Sequence, residues 1–144
     1  MTAETITASP PRPDAAVMKG VIPYLGMDGK AAEAADFYSQ AFGARDIGRV
    51  PDQENPGRFM HVQVEINGGC VMMTDCRDPS VTETPKPQGV HMQLIVTDGD
   101  TWWSRAVKAG CTVTVPFERQ FWGDRWGMLR DPFGIDWAIG EPAE

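Results

Sequence analysis

Two stretches of this 144-residue chain share one plan, and that repeat limits the folds open to it more than any other feature. "VIPYLGMDGKAAEAADFYSQAFG" (21–43) and "VHMQLIVTDGDTWWSRAVKAG" (90–110) each open with a short apolar strand and pass an Asp-Gly turn. Each then runs through a helix-like segment and stops at a glycine. In the first helix Ala34, Phe37, Tyr38, Ala41 and Phe42 recur every three or four residues, which gives one apolar stripe. Gly43 and Gly110 stand where a helix C-terminal glycine belongs.

After each helix come three strand-like runs, roughly 45–50, 58–67 and 69–75 in the first half and 112–119, 125–130 and 135–140 in the second. "EINGGCV" (65–71) carries an Asn-Gly hairpin signal, and "RDPFG" (130–134) a turn with proline second and glycine fourth. "DPSVTETPKPQG" reads as a linker, so module one spans about 19–76, the linker 77–88 and module two about 89–142. The expected fold is α+β: tandem βαβββ modules forming one curved, half-open mixed sheet. Helices near 30–42 and 100–109 would cover its outer face, because one half cannot close a sheet alone. All of this fits one domain, 18–144. Residues 1–17, rich in Pro, Thr and Ala, read as a disordered tail without the charged start and apolar core of a signal peptide.

Charge then removes several functions. A net charge of −7 and no Lys/Arg cluster argue against nucleic acid and anionic membranes as partners. No apolar run approaches a membrane span. Three cysteines, Cys70, Cys76 and Cys111, form no CxxC pair and are expected to be reduced thiols of a cytoplasmic protein.

Period-two alternation sorts the strands into faces. In "FMHVQVEI" (59–66) Met60, Val62, Val64 and Ile66 are expected on the helix side, with His61, Gln63 and Glu65 toward the concave face. In "VHMQLIV" (90–96) Met92, Leu94 and Val96 take the core side and His91 and Gln93 the other. Met72, Asp136 and Ala138 would join the concave face, with Trp137 in the core. A polar row is also what a plain solvated sheet face looks like, and a lone histidine is more often structural than a ligand.

"QFWGDRWGMLRDPFG" (120–134) packs two tryptophans, two arginines and three glycines into fifteen positions. Two readings stand. Gly123-Asp124 could turn a hairpin whose tryptophans clasp each other across the ladder. Alternatively Trp122, Arg125 and Trp126 could wall an organic ligand site, with aromatic faces and one fixed positive charge.

The duplicated βαβββ plan, the "DFY" of the first helix and the "DPFG" before the last strand resemble the vicinal oxygen chelate superfamily, which holds glyoxalase I, bleomycin-resistance proteins and extradiol dioxygenases. "IPYLGMDGKAAEAADFY" and "QFWGDRWGMLRDPFG" look like its PhnB-like branch, often labelled 3-demethylubiquinone methyltransferase-like, over about residues 19–141. No glycine-rich loop after a strand is present to hold S-adenosylmethionine. Metal-dependent members of the superfamily place ligands at four strand positions, which the resemblance carries onto Pro23, Met72, His91 and Ala138. Only His91 can bind a borderline cation, and catalytic sites usually need three protein ligands. His61 and Glu65, four apart on one strand, lie about 13 Å from each other and cannot share an ion. The expectation is therefore no metal and no cofactor.

Without that metal, glyoxalase and dioxygenase chemistry lose their Lewis acid. The resemblance then implies a small-molecule-binding protein, with an unknown organic ligand, pairing as a homodimer and with no assigned catalytic residue. Its ligand-binding residues would be His61, Gln63, Glu65, Met72, His91, Gln93, Trp122, Arg125 and Trp126. Two alternatives stand: a metal-dependent lyase or dioxygenase with another ligand set, and drug sequestration of the bleomycin-resistance type.

Overall fold

The computed structural model describes residues 17–76, 80, 82 and 85–144. The expected tail, apart from Val17, and much of the linker lie outside them. Val17 is buried. The chain divides into two compact units, one holding the first module and the other residues 40–42 with 85–144.

The first unit contains β1 (Tyr24–Gly26), α1 (Ala31–Phe42), β2 (Arg45–Pro51), β3 (Phe59–Ile66) and β4 (Gly69–Thr74). Its four strands form one mixed sheet in the order β1-β4-β3-β2, with β1 parallel to β4 and the other pairs antiparallel. The β3–β4 hairpin turns at Asn67 (φ 50°) and Gly68 (φ 81°), both left-handed as the Asn-Gly signal requires. Helix α1 buries Ala31, Ala34, Ala35, Tyr38, Ala41 and Phe42, while Phe37 stays only half-buried. It ends at Gly43, whose φ of 65° a residue with a Cβ adopts at a cost.

The start of α1 has an unexpected source of support. Lys30 offers no side-chain cap. Instead Asp75, buried just beyond β4, accepts the Gly29 and Ala31 N–H groups on Oδ1 at 2.7 and 3.0 Å. Its Oδ2 accepts the Phe59 N–H at 2.9 Å. One carboxylate thus satisfies donors that a helix N-terminus leaves unpaired and ties them to the sheet.

The second unit repeats the plan with β5 (Met92–Ile95), α2 (Gly99–Ala109), β6 (Thr112–Arg119), β7 (Arg125–Arg130) and β8 (Asp136–Glu141). The strand order is β5-β8-β7-β6, again with one parallel pair, β5 and β8. Here the two Asp-Gly dipeptides part company. Asp28 (φ 48°) and Gly29 (φ 96°) make a left-handed turn, whereas Asp98 caps α2 and accepts the Thr101 hydroxyl at 2.7 Å. The core of this unit holds Trp137, Leu129 and Ile139, all essentially inaccessible, with the Phe42 ring 4.5 Å from the Trp137 ring. Asp131, first residue of the "DPFG" turn, is buried as well and binds three donors. Among the described residues no helix is long and apolar enough to cross a membrane.

Candidate functional site

In the first unit, strand register gathers the polar row. Tyr24 on β1, Met72 on β4 and Gln63 on β3 are successive cross-strand partners and so point to one face. His61, two residues before Gln63, shares it. The Tyr24 hydroxyl donates to His61 Nδ1 at 2.7 Å, and His61 Nε2–H donates to Gln63 Oε1 at 2.7 Å. Gln63 is only 1% exposed, and among the described residues its amide N–H groups reach only sulfur: Cys70 Sγ at 3.5 Å and Met18 Sδ at 3.6 Å. Glu65 is on the same row but pairs with Arg45, whose Nε lies 2.8 Å away. On the opposite face Val62, Val64 and Ile66 are buried as expected. Met60 is not: half of it is exposed beside Arg58, Asp75 and Cys76. Tyr24, which the sequence reading passed over, becomes the outer end of the network.

The second unit presents a different surface on β5, β8 and β7. Gln93 partners Ala138, which partners Met128; one step along, Trp126 lies between Gly140 and Glu118. His91 Nε2–H donates to Gln93 Oε1 at 3.0 Å, which repeats the His-X-Gln arrangement of β3. The His91 ring stands 6.5 Å from the Trp126 ring, edge-on. Trp126 meets Trp122 at 6.0 Å, and Trp122 meets Phe121 at 5.0 Å. Phe121 and Trp122 are 98% and 49% exposed. A Cβ at Gly140 would come within 3.2 Å of Ile95 and 3.3 Å of Trp126, so the missing side chain leaves room for that indole. Trp122 sits in the turn between β6 and β7, so the tryptophans do not face each other across the ladder. The ladder partners of Trp126 are a glutamate and a glycine.

Arg125 does not join them. Neighbours on a strand point to opposite faces. Its guanidinium lies 4.4 Å from the Phe117 ring centre and pairs with Asp100 in the first turn of α2 (2.7 Å) and with Glu141 (3.2 Å). The hydrogen bonds from Arg125 hold the Asp100 carboxyl below its usual range. That pairing therefore adds stability above the ordinary aspartate pKa and loses it as pH falls. Arg125 instead lines a groove of about 590 Å³ with Val96, Thr97, Arg119, Gly123 and Glu141. Expecting Arg125 beside the indoles took sequence adjacency for spatial adjacency.

The superfamily metal positions also change under the observed register. The partner of Met72 on β1 is Tyr24; Pro23 contributes only its carbonyl, which accepts the Met72 N–H. Gln93 is the partner of Ala138, with His91 on the same face of the strand. Of these side chains only the His91 imidazole is an ordinary ligand for a borderline divalent cation. Among the described residues no group of three His, Cys, Asp or Glu side chains is placed to hold one.

The thiols also differ. Burial, and secondarily the Asp131 charge, push the Cys111 thiol up to about 12, whereas Cys76 is exposed. Iodoacetamide at pH 8 is expected to modify Cys76 readily and Cys111 only after unfolding, as read by peptide mass. A raised thiol stabilises the fold below pH 9 and loses that contribution as pH climbs toward 12. Equal labelling of both thiols in the native state would contradict this assignment.

Residues 24–139 match the family described as the Glyoxalase/Bleomycin resistance protein/Dioxygenase superfamily. An uncharacterized protein of Mycobacterium bovis is 43% identical over 128 residues, covering 83% of this chain and 81% of that one. Two solved structures share the fold. A putative 3-demethylubiquinone-9 3-methyltransferase, PhnB protein, from Bacillus cereus superposes with a TM-score of 0.67 at 21% identity, over 86% of this chain and all of that one. A glyoxalase-related enzyme from Fulvimarina pelagi gives 0.66 at 22% identity, over 88% and 89%.

Proposed function

This chain belongs to the Glyoxalase/Bleomycin resistance protein/Dioxygenase superfamily, and from that premise we propose that it binds a small organic ligand without the metal chemistry of that superfamily. The observation that carries this reading is the aromatic run Phe121–Trp122–Trp126 with His91 at its edge. A half-exposed indole stacked edge-on against a second one leaves a large apolar surface in water, which a planar ligand would cover. His91 supplies a polar contact at the rim, held in orientation by Gln93.

Native mass spectrometry of the protein purified from its own host is the direct test. A retained small molecule is expected, and Trp126→Ala should weaken its binding by about tenfold or more. The same change should cost only about 1–2 kcal/mol of stability, well under the 3–5 of a buried aromatic, since part of the surface around it never left water. Arg125→Ala should leave binding intact, because its side chain serves α2. Unchanged retention in Trp126→Ala would refute the binding face. One equivalent of tightly held zinc or nickel would instead favour the lyase or dioxygenase alternative.

A second reading rests on Glu118. It sits opposite Trp126 on the same face and makes no ion pair among the described residues. An unpaired carboxylate beside two indoles favours a planar cation, as drug sequestration would need. Loss of binding in Glu118→Gln would select that reading.

A further inference from the structure

The first unit buries a glutamine, Gln63, beneath its polar row. Burying an amide is unfavourable unless its hydrogen bonds are good, and among the described residues the acceptors Gln63 finds for its N–H groups are the sulfurs of Cys70 and Met18. What the burial does accomplish is orientation. Because those N–H groups face sulfur, the Gln63 oxygen faces His61 and can only accept. The proton of the neutral imidazole therefore sits on Nε2, and Nδ1 is left as a fixed acceptor at the surface.

That acceptor is occupied by Tyr24 Oη at 2.7 Å. Both groups can be reached by water: Tyr24 is 53% exposed and His61 half-buried. A hydrogen bond so placed contributes little to stability, because water would satisfy either partner. Burial, and secondarily the neighbouring Cys76, push the Tyr24 phenol above its ordinary pKa, so it remains a neutral donor. One donor and one acceptor thus stand side by side. Met72, cross-strand partner of Tyr24, lies next to them, and a Cβ at Gly26 would meet nothing within 4 Å.

We propose that the Tyr24–His61–Gln63 network is a binding site for a planar heterocycle carrying a cis-amide (lactam) edge. The ring N–H donates to His61 Nδ1 while Tyr24 turns its hydroxyl to donate to the adjacent carbonyl. One protein–protein hydrogen bond is exchanged for two to the ligand, and the Met72 thioether offers the ring a soft apolar contact. A carboxylate is a poor fit, since it has no proton for Nδ1 and meets a chain of net charge −7. All of its residues belong to the first unit.

The test is a titration of the full chain with 2-pyridone, read by the ring nitrogen NMR shifts of His61. The free protein is expected to show the Nε2–H tautomer, and 2-pyridone to shift Nδ1 and saturate with a dissociation constant in about the millimolar range. N-methyl-2-pyridone keeps the ring and carbonyl but has no N–H, and should produce no shift. Tyr24→Phe removes one exposed hydroxyl, is expected to leave the fold intact, and should weaken the response about tenfold. Trp126→Ala should leave it unchanged. An Nδ1–H tautomer in the free protein, no response to 2-pyridone, an equal response to both pyridones, or undiminished binding in Tyr24→Phe would each overturn the proposal.

Discussion

Alanine at position 131 is expected to remove about 3–5 kcal/mol of stability, lowering the melting temperature by roughly 10–15 °C in a domain of this size. Asp131 Oδ1 accepts the Phe133 and Ile135 N–H groups at 2.9 Å each, and Oδ2 accepts the Trp137 indole N–H at 2.9 Å. The Ile135 and Trp137 donors are buried, so truncation leaves them unsatisfied where no water replaces the carboxylate. Trp137 is the largest fully buried side chain of the second unit, so the loss reaches its core through the Phe42 contact. Asparagine should cost about half as much, because its amide oxygen can keep the two backbone bonds while its NH2 faces the indole N–H. Urea denaturation of both variants checks the order. An alanine variant within about 1 kcal/mol of the parent would show that the turn holds without its carboxylate.

Gly127→Ala should be strongly destabilising for a change of a single methyl group. Replacing a strand glycine normally helps by about 0.5–1 kcal/mol, because glycine loses the most backbone entropy on folding. Here the sign reverses. A Cβ at position 127 would lie 2.7 Å from Phe117 Cα, 2.8 Å from its nitrogen and 2.8 Å from the tip of Trp103. Two of those atoms are backbone and cannot rotate away. The Phe117 ring is itself held by Trp103, stacked at 5.3 Å, and by Arg125. Overpacking of this kind costs about 1–3 kcal/mol, and the upper end is expected because β6 and β7 must separate to relieve it. Their hairpin carries Trp122, so the aromatic face should lose order as well as stability. A thermal melt combined with the ligand-retention assay would register both effects, and a stabilised Gly127→Ala would refute the packing argument.

Much of the fold was legible because its signals are local. The stripe of α1, the glycines at 43 and 110, Asn67-Gly68 and "DPFG" each fix backbone geometry within a few residues. The repeat then extended those assignments to eight strands in matching order. Alternation also placed Val62, Val64 and Ile66 inside, but it failed at Met60. Period two says which way a side chain points and not whether anything covers that side. The same rule applied to 125–130 would have separated Arg125 from Trp126, so that error was avoidable from sequence.

The sequence by itself determined the order of elements, the turns, the acidic surface and the residues available to bind a ligand. Only the tertiary structure decided which of them meet. Asp75 caps a helix 44 positions away from it in sequence at Ala31. Tyr24 reaches His61 across 37, and Arg125 finds Asp100 across 25. Such partners are chosen by strand register, and register is a property of the whole sheet. Local propensity carries no information about which residue of a distant strand will stand opposite, because that choice is made by the summed burial of every apolar row at once.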